Sequence, residues 1–245
     1  MIRNAALFAC AVLAAVVPLR AAGGFERDTI GTTAGNVEIT FVGHGTLMFR
    51  WKEKTIHVDP WSTLSGFSTL PQADLILVTH SHGDHLDTAA INMIRTPSTV
   101  ILLTAKCAER VRGGTVMKNG DVQKVLGLTV EAVPAYNLVH MRPDGTPFHP
   151  KGEGNGYVLT IGRTRIYIAG DTEDTPEMDA LRDIDVAFLP MNLPYTMTPD
   201  MVAKAAKAFR PKILYPYHYS QTDPGTLAPL LKETKGIDVR VRKMK

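Results

Sequence analysis

From residue 37 to its end the chain alternates short apolar runs with turn-forming residues. Residues 37–41, 46–51 and 54–59 predict strands, parted by turns at 43–45 and 52–54. Residues 74–79 contain an unbroken Leu-Ile-Leu-Val run, which predicts a strand buried on both faces. A helix is predicted over 88–94 and another strand over 100–104. Residues 122–125 and 128–134 pair about Gly127, and 157–161 and 164–169 form a hairpin about Gly162-Arg163. Residues 186–189 and 213–217 predict further buried strands. Thr198 is an N-cap with Pro199 at the first helical position, opening an amphipathic helix over 201–209. A last helix over 225–234 and a strand over 239–242 close the chain. Strands and helices interleaved along the whole length predict an α/β architecture, with helices covering sheets. No linker, low-complexity tract or strong repeat interrupts the pattern, so a single domain is expected.

The N-terminus departs from that pattern. Arg3 is followed by about fifteen mostly apolar residues, 5–19, broken only by Pro18, and then by Ala21, Ala22 and Gly23. This predicts a secretory signal over 1–22, a mature domain over 23–245, and export to a periplasm or the medium. The run is shorter than the roughly 20 apolar residues a spanning helix needs, so no stable membrane insertion is expected once it is removed. Arg20 lies close to the cut, and the bond cleaved is left open.

Composition sharpens the reading only after that segment is set aside. The full chain has 27 Lys+Arg against 24 Asp+Glu, a formal charge of +3. Without 1–22, Arg3 and Arg20 leave and no acid does, so the mature chain is close to neutral. It lacks the basic stripe of a nucleic-acid binder. Cys10 leaves as well, and Cys107 remains as a lone thiol expected to be buried and inert.

The candidate chemistry is concentrated in Thr79-His80-Ser81-His82-Gly83-Asp84-His85-Leu86-Asp87, directly after the buried strand. His80 and His82 are two apart, so an extended backbone points both imidazoles the same way. Gly83 lets the chain turn before Asp84 and His85, which aims a second pair of ligands at a neighbouring point. Such a loop suits two metal ions a few Å apart.

His80-x-His82-x-Asp84-His85 resembles the signature of the metallo-β-lactamase superfamily. The order of Gly43-His44-Gly45, Val58-Asp59-Pro60-Trp61, Asn155-Gly156-Tyr157, Ala169-Gly170-Asp171-Thr172 and Pro216-Tyr217-His218-Tyr219 resembles its lactonase-like and uncharacterised metal-dependent hydrolase branches. The resemblance covers roughly residues 37–220. It implies a four-layer αβ/βα sandwich with the metals at one edge between two sheets. It also implies that His80, His82 and a third histidine bind one ion, that Asp84, His85 and His218 bind the other, and that Asp171 bridges both. Local sequence alone would equally make Asp171 a helix N-cap and His218 a packed core residue. For the third histidine, His-Pro-Lys-Gly at 149–152 favours His149 over His140, although an insertion over 142–148 separates the two. Asp59 is either a support for an imidazole or an Asp-Pro turn residue. His44 is expected near the pocket, Pro194-Tyr195-Thr196-Met197 resembles the family's pocket wall but reads equally as a plain helix-capping loop, and His57 is expected to be structural.

The implied function is hydrolysis by two Zn²⁺ ions, with iron or manganese also admitted by the donor set. Water of lowered pKa would attack an ester, lactone, phosphodiester or related bond of a small molecule, with Asp84 as the residue that holds it. The alternatives are an iron-dependent oxidoreductase on the same fold and a β-lactam hydrolase. A binding module without catalysis is disfavoured by the completeness of the ligand set. Lys151, Arg163 and Arg165 are expected to be solvated.

Overall fold

The computed structural model describes residues 24–244. The export segment expected over 1–22 lies outside the described residues. The first half of the chain forms β1 (Glu26–Ile30), β2 (Val37–Gly43), β3 (Thr46–Trp51), β4 (Lys54–Val58), β5 (Leu75–Leu77), α1 (Thr88–Ile94), β6 (Val100–Leu103), α2 (Ala105–Ala108) and β7 (Thr115–Val116). The second half forms β8 (Val122–Val125), β9 (Leu128–Ala135), β10 (Gly154–Ile161), β11 (Thr164–Ile168), α3 (Pro176–Asp179), β12 (Val186–Pro190), α4 (Pro199–Phe209), β13 (Ile213–Tyr217), α5 (Leu227–Leu231) and β14 (Asp238–Val239).

The strands make two seven-stranded sheets, ordered β1-β2-β3-β4-β5-β6-β7 and β14-β13-β12-β11-β10-β9-β8. In each half, four antiparallel strands come first and the last three join in parallel. The chain therefore repeats one topology twice, although its sequence shows no strong repeat. The repeat lives in strand order and connection type, and many apolar sequences satisfy those equally well.

The β5 run shows how the layers arise. Leu75 and Leu77 point into the core between the sheets, with Phe41, Phe49, Tyr157 and Phe188. Ile76 and Val78 point the other way, onto Ile91 and Ile94 of α1 and Cys107 of α2. On the far sheet, Tyr167 of β11 meets Phe209 of α4 edge-on at 6.1 Å. The result is helix, sheet, sheet, helix: the αβ/βα sandwich. Burying each such side chain contributes about 1.5–3 kcal/mol.

Thr198 caps α4 as expected, its side chain accepting from Met201 N. Two expectations shift, and four short elements are new. The 225–234 segment is a 3₁₀ turn followed by the short α5, and the closing strand is the short β14. The first strand, β1, does not stand out in the sequence because it is a sheet edge with only Ile30 buried. The short α2, β7 and α3 have too few residues to show a period.

Candidate metal centre

The loop between β5 and α1 carries His80, His82, Asp84 and His85 at one edge of the sandwich. It is pinned at both ends. Asp87 caps α1 by accepting from Ala89 N and Ala90 N, and its other oxygen accepts from Ser62 N and Oγ at 2.9 and 2.5 Å. Leu86 is fully buried in the helix-side core. Arg110 spans the loop from outside, donating to Ser81 O at 3.2 Å and Leu86 O at 3.4 Å. The two sheets meet just behind it, where Asn155 N donates to Thr79 O and the Tyr157 hydroxyl donates to Val78 O, both at 2.9 Å.

One group of donor atoms brings together His80, His82, His149 and Asp171. His149 Nε2 lies 3.2 Å from Asp171 Oδ2, and His80 Nε2 lies 3.9 Å from the same oxygen. The His80, His82 and His149 rings sit 4.7–5.1 Å apart, centroid to centroid. A second group brings Asp171 to His85 and His218, and a third brings His218 to Asp84 and His44. His85 Nε2 is 3.0 Å from His218 Nε2, 3.4 Å from Asp171 Oδ1 and 3.6 Å from Asp84 Oδ2. Asp84 Oδ2 is also 3.4 Å from His218 Nε2 and 3.0 Å from His44 Nε2. Asp171 is thus the residue common to both sides.

Backbone geometry makes this convergence fit. His44, Asp59 and His218 all have positive φ, and His218 N donates to His44 O at 3.1 Å. Gly45 lies against the rings: a Cβ there would fall 2.7 Å from His85 Cε1 and 3.2 Å from His218 Cδ2. Gly170 turns the chain into Asp171 at φ +66, and its N–H donates to the Tyr217 hydroxyl at 2.9 Å.

Asp59 sits beneath the histidines, fully buried. Its Oδ1 accepts from Thr79 N at 2.7 Å, and its Oδ2 accepts from Thr79 Oγ1 at 2.6 Å and from His85 Nδ1 at 2.8 Å. The Thr79 hydroxyl has one proton, and that proton goes to Asp59. At its 3.0 Å contact with His80 Nδ1 the hydroxyl therefore accepts. One carboxylate thereby fixes both His80 and His85 with Nδ1 protonated and the Nε2 lone pair turned into the centre. Asn137 does the same for His149, whose Nδ1 lies 2.6 Å from Asn137 Oδ1.

The charge balance favours a cation. Burial would lower the His85 pKa, but Asp171, Asp59 and Asp84 outweigh it and push it up to about 10. Burial, with His85 and His149 nearby, holds His80 well below the usual histidine range. Burial alone would raise the Asp171 carboxyl, and His218, His85 and His149 hold it well below its ordinary value. Asp84 is likewise held low by His218 and His44 despite its burial. Without a cation, a proton on His85 takes the place that the three carboxylates prepare for positive charge.

His140 is turned away from the centre, with Nδ1 2.6 Å from Glu173 Oε1. Glu173 is fully buried and accepts from the backbone N–H groups of Leu138, Val139 and His140 at 2.6–2.7 Å and from Asn137 Nδ2 at 3.1 Å. This knot holds the loop that carries Asn137. Glu173 and Asn137 are absent from the sequence reading because neither belongs to a spaced motif, and only folding brings them together. Asp171 caps no helix, since Thr175 is the N-cap of α3. His57 packs away from the centre with Nε2 3.0 Å from Pro71 O, and burial lowers its pKa to about 4. Cys107 is a buried free thiol whose pKa burial raises. Lys151 pairs with Glu177 at 2.8 Å and Arg165 with Glu131 at 2.6 Å, so the surface cations expected to be solvated are partly engaged.

The centre opens into a cleft. A cavity of about 390 Å³ is lined by His80, His82, His149 and Asp171 together with Lys106, Arg142 and Phe148. An adjoining lobe of about 360 Å³ reaches Asp84, Asn192 and Tyr195. Tyr195 is exposed and packs edge-on against Phe148, with centroids 5.0 Å apart.

A fold of this kind, with this cluster at the sheet edge, matches the model of the Beta-lactamase superfamily domain over residues 38–218, and the chain belongs to that superfamily. Within it, the chain is similar to proteins named UPF0173 metal-dependent hydrolases. The relative from Thermus thermophilus is 34% identical over 196 residues, covering 77% of this chain and 86% of its own. That from Pyrococcus furiosus is 34% identical over 203 residues, with 77% and 87% covered. A crystal structure of a Parabacteroides distasonis protein designated a metal-dependent hydrolase superposes with a TM-score of 0.86 at 48% identity, covering 90% of this chain and all of the other. The chain is a metal-dependent hydrolase of the metallo-β-lactamase superfamily. Among the described residues, no helix is long and apolar enough to cross a membrane.

Proposed function

We propose that this chain hydrolyses an ester, lactone, phosphodiester or related bond of a small molecule, using two divalent cations, zinc first among them. One observation carries the reading. His80 Nε2, His149 Nε2 and Asp171 Oδ1 are buried at the centre and have no hydrogen-bond partner. An unsatisfied buried polar atom costs about 1–3 kcal/mol. Three of them converging, with tautomers fixed so that lone pairs point inward, fit a cation and little else. His80, His82, His149 and Asp171 would hold one ion, and Asp84, His85 and His218 the other, with Asp171 shared. When bound, such a pair lowers the pKa of water and polarises a substrate oxygen.

The chain's own residues do the rest. Asp59, through Thr79, keeps His80 and His85 in the ligating tautomer, and Asn137 keeps His149 so. Asp84 is the least buried of the acids, its side chain about a third exposed toward the cleft. Its carboxylate is placed to accept a hydrogen bond from the attacking water and to take its proton. His44, 3.0 Å from Asp84 Oδ2, holds that carboxylate in place. The mixed nitrogen and oxygen donors are borderline, so iron or manganese fit the same residues.

The test is metal removal. Exhaustive chelation should abolish hydrolysis of ester and phosphodiester probes and lower the melting temperature, and added zinc should restore both. Full activity in verified metal-free protein would sink the reading. Export is part of the same proposal, carried by the pattern of residues 1–22. N-terminal sequencing of protein recovered from a periplasmic fraction should begin close to residue 23.

A further inference from the structure

Arg142 lines both lobes of the cleft. The other charged side chains of that lining have partners. Asp84 and Asp171 face the histidines, and Lys106 pairs with Glu153 at 2.8 Å. Arg142 has no carboxylate at ion-pair distance among the described residues. Asp144, the acid nearest in sequence, instead accepts from Thr146 N and Oγ1 at 2.9 and 2.6 Å.

The guanidinium is nevertheless held in place. Residues 141–147 form a tight reversal, with Met141 bridged to Pro147, Arg142 N donating to Thr146 O at 2.7 Å and Gly145 N to Arg142 O at 2.9 Å. The guanidinium lies over the Phe148 ring, 5.2 Å from its centroid, and gives one hydrogen bond to Phe148 O at 3.2 Å. Phe148 directly precedes His149. A pre-ordered cation with most of its five donors unspent therefore stands at the edge of the centre. Beside two divalent cations, that position is unfavourable unless an anion comes between them.

We propose that Arg142 binds an anionic group of the substrate, a carboxylate or a phosphate, so that the enzyme acts on small molecules carrying such a group near the hydrolysed bond. The proposal rests on the hydrolase reading above. Phe148 and Tyr195 give the rest of the rim an apolar surface for the substrate's carbon skeleton.

The test uses the full chain loaded with zinc and a matched pair of probes, 4-nitrophenyl hydrogen glutarate and its methyl ester. The wild type should prefer the anionic probe about 10-fold in kcat/KM, the scale of one charge-assisted hydrogen-bond pair. Arg142→Gln should bring that ratio close to one, chiefly through KM, and Arg142→Lys should keep part of it. Binding gives a second readout that needs no turnover. The affinity for glutarate or for phenylphosphonate, by titration calorimetry, should fall about 10-fold in Arg142→Gln. A loss confined to phenylphosphonate assigns a phosphate, and one confined to glutarate assigns a carboxylate. An unchanged probe ratio together with unchanged affinities for both anions would overturn the proposal. If neither ester is turned over by the wild type, carboxylic esters leave the hydrolase reading, and the affinities alone decide the role of Arg142.

Discussion

The two halves of the molecule follow one topology and place like residues at matching points. His44 lies between the second and third strands of the first half, and His149 between the second and third of the other. Asp59 follows the fourth strand of one half, and Asp171 the fourth of the other. The pairs nevertheless do different work. Both oxygens of Asp59 are taken, by Thr79 and His85. Asp171 keeps one buried oxygen without a partner and faces four histidines. His44 leans on a carboxylate, whereas His149 turns an unpartnered nitrogen into the centre. Residue type and topological position thus do not assign a role. The satisfaction of each polar atom separates the residues whose bonds are spent within the protein from those that keep a donor atom free.

The largest expected effect breaks the binding half. Asp171→Ala should cost metal on both sides and drop activity to that of chelated protein, while elemental analysis finds less than one ion per chain. Next comes the knot that belongs to the second half alone. Glu173→Ala strands three backbone N–H groups and Asn137, and should cost about 3–5 kcal/mol of stability in denaturant titration. Glu173→Gln keeps an acceptor and should cost less.

Each half also buries one polar side chain in its fourth strand away from the centre, His57 in β4 and Tyr167 in β11. Only the histidine titrates in an accessible range. Its folded pKa is lowered to about 4, so its contribution is complete above the unfolded value of 6.5 and is lost as pH falls toward 4. Over that window the wild type should lose about 3 kcal/mol more than His57→Gln, as measured by unfolding at a series of pH values. Parallel pH profiles would contradict this.

The smallest effect sharpens the supporting role. Asp59→Asn would place an amide N–H against His85 Nδ1 and favour the tautomer with Nε2 protonated, which cannot ligate. Metal affinity, read by competition with a chromophoric chelator, should fall about 10- to 100-fold. A larger loss than that of Asp171→Ala would reverse the comparison.

Much of this was legible in the sequence, for identifiable reasons. The 79–87 loop is dense in unusual residues, and the buried strands are continuous apolar runs, so both announce themselves. His44 and Tyr195 could be listed as neighbours of the site but not given tasks, and Asp59 stood between an imidazole support and an Asp-Pro turn residue, because a task depends on which atoms remain unpaired after folding. Glu173 and Asn137 were invisible, being single polar residues joined only through the fold. The duplicated topology was hidden too, since β1 and β8 are half-exposed edges with no strong pattern.

The most direct test of two metal ions shared between the halves is the metal content per chain of the wild type, His149→Ala and His140→Ala, purified in parallel and measured by elemental analysis. Two ions, one ion and two ions are expected, in that order. Two ions retained in His149→Ala, or one lost in His140→Ala, would contradict the assignment.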